Sequence, residues 1–146
     1  MLSISALEKQ IIQEFNQFDG VDEKYLHLFN LGELLPSLDA GLRTEQNKVK
    51  GCQSSVWFNI AIQRGGMYLQ ADSDSMLIKG ILALLVRLVE GRPPSEVVEV
   101  NLDFLDDLSI WKMASNQNPG LVAILEHLHT IARLSQTYEK TKSDAS

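Results

Sequence analysis

Cys52 is the residue whose type and setting could do chemistry. It lies in Lys48-Val49-Lys50-Gly51-Cys52-Gln53-Ser54-Ser55-Val56-Trp57, a polar turn ahead of a strand-like run, outside any apolar stripe. Gly51 allows backbone angles closed to other residues and leaves room for a visitor to approach. Lys48 and Lys50 place positive charge nearby, which favours thiolate over thiol and predicts a modestly lowered pKa. Gln53, Ser54 and Ser55 offer hydrogen bonds to a sulfur anion. Cys52 is also the only cysteine, so no internal disulfide can form. The bland reading is a small buried hydrophobe beside a turn whose polar residues serve only the turn. Local chemistry leaves both readings open.

The elements that must position this turn follow from periodicity. Ser5-Ala6-Leu7-Glu8 reads as a capping box opening a first helix, with Leu7, Ile11, Phe15 and Phe18 on one face. Asp19-Gly20 ends it. A second helix carries Tyr25, Leu28, Phe29 and Leu35 inward and stops at Pro36. Residues 37–47 read as a surface loop with Asp39, Gly41 and Arg43. From Val56 to Ile62 branched and aromatic residues predict a strand, with Val56, Phe58, Ile60 and Ile62 on one face. Gly65-Gly66 suits a two-residue hairpin turn, and Met67 to Ala71 returns as the next strand. Lys48 to Lys50 is expected to add a short third strand.

Asp72-Ser73-Asp74 reads as the cap of a long helix, because short polar side chains accept its first free N–H groups. Leu77, Ile78, Ile81, Leu84, Leu85 and Leu88 nearly encircle that helix, so it should be the buried centre. Gly80 inside it implies close packing against another element. Gly91 and Pro93-Pro94 end it. Residues 95–100 and 103–108 read as short helical pieces. Asn118-Pro119 opens the last helix, whose stripe is Leu121, Ile124, Leu125, Leu128 and Ile131. From Gln136 the tail is polar and expected to fray. Helices, a small antiparallel sheet of about three strands, then helices make an α+β fold in one domain over residues 1–146, with its core at about 5–134.

Composition narrows the function classes. Apolar residues make up 45% and charged residues 22% of the 146, as in an ordinary globular chain able to bury one sizeable core. The net charge of −6 with scattered Lys and Arg argues against a nucleic-acid binder. The longest apolar run, Gly80 to Val86, is too short to cross a bilayer, and Met1-Leu2-Ser3-Ile4-Ser5 lacks a signal-peptide pattern. A cytoplasmic protein without membrane contact is expected. His27, His127 and His129 make no metal site with Cys52 by spacing, so no metal is expected, and a surface or cap role is assigned to all three.

Gly51-Cys52-Gln53-Ser54-Ser55-Val56-Trp57 resembles the cysteine signature of the SufE/CsdE family, Gly-Cys-Gln-Ser-x-Val-Trp. Tyr25 through Leu31-Gly32 and Leu35-Pro36 resemble that family's second helix. Arg43-Thr44-Glu45 and Asn47-x-Val49 resemble its approach to the cysteine. Asp72-Ser73-Asp74 with Ile78-Lys79-Gly80 resembles its following helix, and the likeness covers roughly residues 5 to 134. The resemblance implies an α+β fold like the IscU scaffold. It also implies a function: Cys52 takes persulfide sulfur from a PLP-dependent cysteine desulfurase of the SufS or CsdA type. The carrier stimulates the desulfurase and delivers sulfur to a SufB-type scaffold for iron–sulfur cluster assembly. The PLP would belong to the partner, with no cofactor on this chain, which would act as a monomer or weak dimer. A mobile loop is implied as well, shielding the thiol at rest and reaching into the partner, with Gly51 as a hinge.

Around Cys52, the residues expected to support the loop or touch the partner are Arg43, Glu45, Lys50, Gly51, Gln53, Ser54, Asp72 and Asp74. Trp57 is expected to serve packing. One departure stands out: related sequences commonly read Ser-Arg-Ser-Asn-Gly-Leu before the last helix, and here Gln117 falls where the arginine would. Gln keeps hydrogen bonding but loses the charge and the fork. Two other function classes fit the same cysteine: a regulatory module that activates a desulfurase without carrying sulfur, and a stand-alone thiol enzyme, which would need a base or resolving group beside Cys52.

Overall fold

The computed structural model describes residues 1–110 and 115–145, with side-chain surroundings given through residue 137 outside that gap. Helix α1 (Ile4–Asn16) is capped by Ser3, whose hydroxyl accepts the Ala6 N–H at 3.1 Å. The cap thus falls two residues ahead of the expected Ser5. Ile11 and Phe15 are its buried residues. Helix α2 (Val21–Leu34) follows and buries Leu28 and Gly32. Its outer turn also holds a distant segment: the Tyr25 hydroxyl donates to the Ile110 carbonyl, and Lys24 Nζ donates to Leu108 O at 3.1 Å.

Strands β1 (Val56–Gln63) and β2 (Gly66–Ser73) form an antiparallel two-stranded sheet with Trp57 opposite Asp72 and Gln63 opposite Gly66. The turn is Arg64-Gly65, one residue earlier than expected. Both have positive φ, 53° and 79°, the mirror-image turn that matches strand twist. The expected third strand is a single bridge, Lys48 to Trp57. Alternation holds where the sheet meets the core: Val56 and Phe58 are buried, but Ile62 at the hairpin end is exposed.

Helix α3 (Met76–Val89) is the buried centre, packed between α2 and β2. Leu82, Leu84, Leu85 and Leu88 are fully buried, each contributing about 2 kcal/mol of apolar burial. Its crossing with α2 is made backbone to backbone. A Cβ on Gly80 would sit 2.5 Å from Leu28 O, and one on Gly32 2.8 Å from Gly80 N. Gly80 gives up helix propensity for this approach. Helix α4 (Pro94–Val97) is a single turn, and 103–108 is a 3₁₀ segment closed by Ser109 at φ 57°. Helix α5 (Pro119–Ala145) buries Leu121, Ile124, Leu128 and Ala132. It continues as helix through the stretch expected to fray. Helices around a small antiparallel sheet make the fold α+β.

Candidate functional site

The cysteine turn is fastened at both ends. On one side Val49 is buried and its N–H donates to Val56 O at 2.7 Å, while the Phe58 N–H donates to Asn47 O at 2.8 Å. On the other side the Ser55 N–H donates to Asp74 Oδ1 at 3.0 Å, and the Ser73 hydroxyl donates to Ser55 O at 2.8 Å. Residues 50–54 span the gap. Gly51 has φ 94°, a region that L side chains rarely adopt, and a Cβ there would meet the Ala123 Cβ at 3.2 Å.

The thiol of Cys52 is half-buried and donates to the Gly120 carbonyl, 3.5 Å away. It faces a cavity of about 320 Å³ lined by the 51–54 turn, Ile78 and the start of α5 at Asn118, Pro119 and Gly120. Asn118 shapes that wall: its Oδ1 accepts the Gly120 and Leu121 N–H groups at 3.0 and 3.2 Å, and Pro119 takes the first helical position.

Burial pushes the Cys52 thiol above the ordinary thiol range, the reverse of the lowering expected from Lys48 and Lys50. The two lysines do not reach the sulfur. They line a separate groove against α5, and Lys48 Nζ lies 4.0 Å from Glu45. In this closed arrangement the sulfur is a neutral donor, not a nucleophile.

Asp72 sits at the end of β2, only 2% exposed. Its Oδ2 accepts the Leu38 N–H at 2.9 Å and Arg43 Nη2 at 2.7 Å, and Lys79 Nζ lies 3.5 Å from Oδ1. Burial alone would raise its pKa. The N–H groups of Leu38 and Ser73 and the charges of Lys79 and Arg43 outweigh it and hold the carboxyl below the usual range. The Arg43 guanidinium also lies 5.7 Å from the Trp57 ring centroid, so Trp57 joins this cluster as well as the packing.

Neither Asp72 nor Asp74 caps α3. Ser75 does, accepting the Ile78 N–H at 3.2 Å, because the strand runs on to Ser73 and leaves Ser75 at the helix boundary. The structure therefore brings Gly51, Gln53 and Ser54 to the thiol and ties Asp74 to the end of the turn, whereas the Arg43–Asp72 pair fastens the 38–43 loop to β2. Glu45, 88% exposed on its side chain, and Lys50 stand away from the sulfur. Gln117 is exposed in a 3₁₀ turn (Ser115–Gln117), next to the cavity wall but not lining it.

Lys79, Ile78 and the Asn118–Gly120 wall were not foreseen as site residues. Only the Asn-Pro-Gly helix start carried a signal, and that signal was local. The three histidines are half-buried, and each has a partner. His27 pairs with Glu14 at 2.8 Å, and His129 Nε2 meets Val100 O at 2.6 Å. His127 packs edge-on against Phe58, where burial lowers its pKa. Among the described residues no group of three or more His, Cys, Asp or Glu is placed to hold a metal ion, and no helix is long and apolar enough to cross a membrane.

Known proteins share both the sequence pattern and the fold. A family model described as "SufE: Fe-S metabolism associated domain" matches residues 9–132. SufE-like protein 1, chloroplastic/mitochondrial, of Arabidopsis thaliana is 36% identical over 121 residues, 81% of this chain and 32% of that protein. A chloroplastic quinolinate synthase of Nicotiana tabacum is 34% identical over 102 residues, 68% of this chain and 14% of the relative. The chain thus spans 32% and 14% of the lengths of these relatives. In fold it resembles the solution structure of a hypothetical protein from Thermus thermophilus, with TM-score 0.66 and 20% identity, covering 90% of this chain and 96% of that one.

Proposed function

The chain belongs to the SufE family, the Fe–S metabolism associated domain, and from that premise we propose that it accepts and carries sulfur as a persulfide on Cys52. The donor in this reading is a PLP-dependent cysteine desulfurase of the SufS or CsdA type, which the chain also stimulates. The recipient is a SufB-type scaffold for cluster assembly. The PLP stays on the desulfurase, and this chain contributes a thiol and a loop. The reading places the exchange in a reducing compartment such as the cytoplasm, where a free thiol persists.

One observation carries the proposal: the single thiol sits on a turn fastened at both ends, with its sulfur turned into a cavity large enough to hold it and small enough to exclude a protein. The chemistry then has an order. The turn swings outward about Gly51, and the Sγ–H–Gly120 contact breaks. Once in water beside the donor, the thiol returns to the ordinary range, since the burial that raised its pKa is gone, and the fraction that gives its proton to solvent is the reactive thiolate. The thiolate attacks the outer sulfur of the donor persulfide, a new S–S bond forms at Cys52, and the donor cysteine leaves as a thiolate.

Incubation with desulfurase and L-cysteine, followed by mass spectrometry, tests this. Wild type gains the mass of one sulfur at Cys52, and Cys52→Ser gains none while keeping its fold. A sulfur adduct of unchanged size on the serine variant would sink the reading. Full stimulation by the serine variant would instead favour a regulator that carries no sulfur.

A further inference from the structure

We propose that the groove between the 46–50 segment and α5 docks an acidic segment of the sulfur-donating protein, a reading that rests on the sulfur-transfer function above. The groove has a volume of about 300 Å³ and is lined by Gln46, Lys48, Lys50, Ala123, Glu126, His127 and Thr130. Two periodicities build it. Residues 46, 48 and 50 alternate with Asn47 and Val49, whose backbone groups pair with β1, so the even positions share the outward face. Residues 123, 126, 127 and 130 follow helical spacing and present one face of α5.

Its charge is the reason for the stated occupant. The molecule carries 19 acidic against 13 basic residues, yet this groove sets two lysines against one glutamate. Glu45 lies 4.0 Å from Lys48, but it is exposed and such pairs are weak, so it leaves the lysine able to meet another carboxylate. His127 is held neutral by its burial and offers a hydrogen bond without repelling or attracting charge.

Position supplies the rest. Ala123 forms part of the groove and is also the residue that Gly51 packs against, so the groove begins where the cysteine turn meets α5. A donor protein bringing its persulfide to Cys52 must cover this surface. An acidic segment on that protein would meet two ammonium groups here, in a molecule whose net negative charge otherwise repels it.

The test uses desulfurase turnover against the concentration of this protein, for wild type and Lys48→Glu/Lys50→Glu. The double variant should need about tenfold more protein for half-saturation, with the plateau rate unchanged and the gap closing at high salt. Lys9→Glu/Arg64→Glu, which makes the same change in net charge at exposed sites elsewhere, should behave as wild type. A second arm needs no desulfurase: hexaglutamate should shift the amide resonances of Lys48, Lys50 and His127 in wild type, and hexalysine should not. Half-saturation of the lysine variant indistinguishable from that of the charge control overturns the proposal, as does silence of those amides toward hexaglutamate. If wild type takes up no sulfur at all, the sulfur-transfer reading fails by itself, and the peptide arm still decides the groove.

Discussion

Two glycine contacts of this molecule are opposites. At the α2–α3 crossing, Gly32 and Gly80 let two backbones touch, and any side chain there would collide with main-chain atoms within 2.8 Å. At the cysteine turn, Gly51 touches only the methyl of Ala123, and the turn is otherwise held by a few hydrogen bonds at its ends. Close packing has few alternatives and makes a platform. A hydrogen-bonded span can open at a cost of about 1 kcal/mol per bond, which is the scale a binding partner can supply. On the function proposed above, the chain puts its rigidity under the site and its freedom at the thiol.

The strongest way to break that contrast is at the crossing. Gly80→Val should destabilise the protein by about 3 kcal/mol, since α2 must move away from α3 and expose packed leucines. Chemical denaturation would show it as a lowered midpoint. An unchanged midpoint would mean the two helices are not locked, and the platform half of the contrast would fall.

The next test concerns Asp72, which joins β2 and α3 to the 38–43 loop ahead of the turn through Arg43, Lys79 and the Leu38 N–H. Asp72→Asn should cost about 2 kcal/mol at neutral pH, because charge-assisted hydrogen bonds to a buried carboxylate are lost. The folded-state pKa is lowered, so the unfolded chain binds the proton more readily. The stabilisation is therefore present above the unfolded carboxylate pKa and is lost as pH falls through the folded value. Wild type and variant should converge in acid. Glu14, held low by Arg87 and His27 against its own burial, adds acid sensitivity common to both proteins, so the difference between them isolates Asp72. A gap that persists unchanged in acid would show that packing, not charge, links the two regions.

The platform was more legible in the sequence than the span. In α3 the apolar residues fall on nearly every side, which marks a buried helix, and Gly80 among them signals contact. Gly32, its counterpart, was unreadable because the pairing is long-range. The turn misled in two ways. Asp72-Ser73-Asp74 has cap chemistry, and cap chemistry does not tell a strand end from a helix start; the structure puts the cap on Ser75. Lys48 and Lys50 are close to Cys52 along the chain, which suggested positive charge at the sulfur. The positive φ of Gly51 breaks the alternation, sending the lysines to the groove and the sulfur to the cavity.

The finest test lies within the span itself. Asp74 holds the Ser55 N–H, while two other bonds, from the Ser73 hydroxyl and the Asp74 N–H, hold the Ser55 carbonyl. Asp74→Ala removes the first and leaves the others, so opening becomes easier but the turn stays anchored. Loss of one hydrogen bond of about 1 kcal/mol corresponds to about a fivefold rise in the open population. The closed thiol is half-buried with its pKa raised by that burial, so faster alkylation by iodoacetamide reports a larger open population. The variant should be alkylated about fivefold faster than wild type at neutral pH, and the two should react alike in denaturant. Its unfolding midpoint should fall far less than that of Gly80→Val, because no packed surface is disturbed. An equal alkylation rate in the folded proteins would place the restraint elsewhere, at the Gly51–Ala123 contact or the Cys52–Gly120 contact. The span would then be closed by packing after all, and the two glycine contacts would differ only in degree.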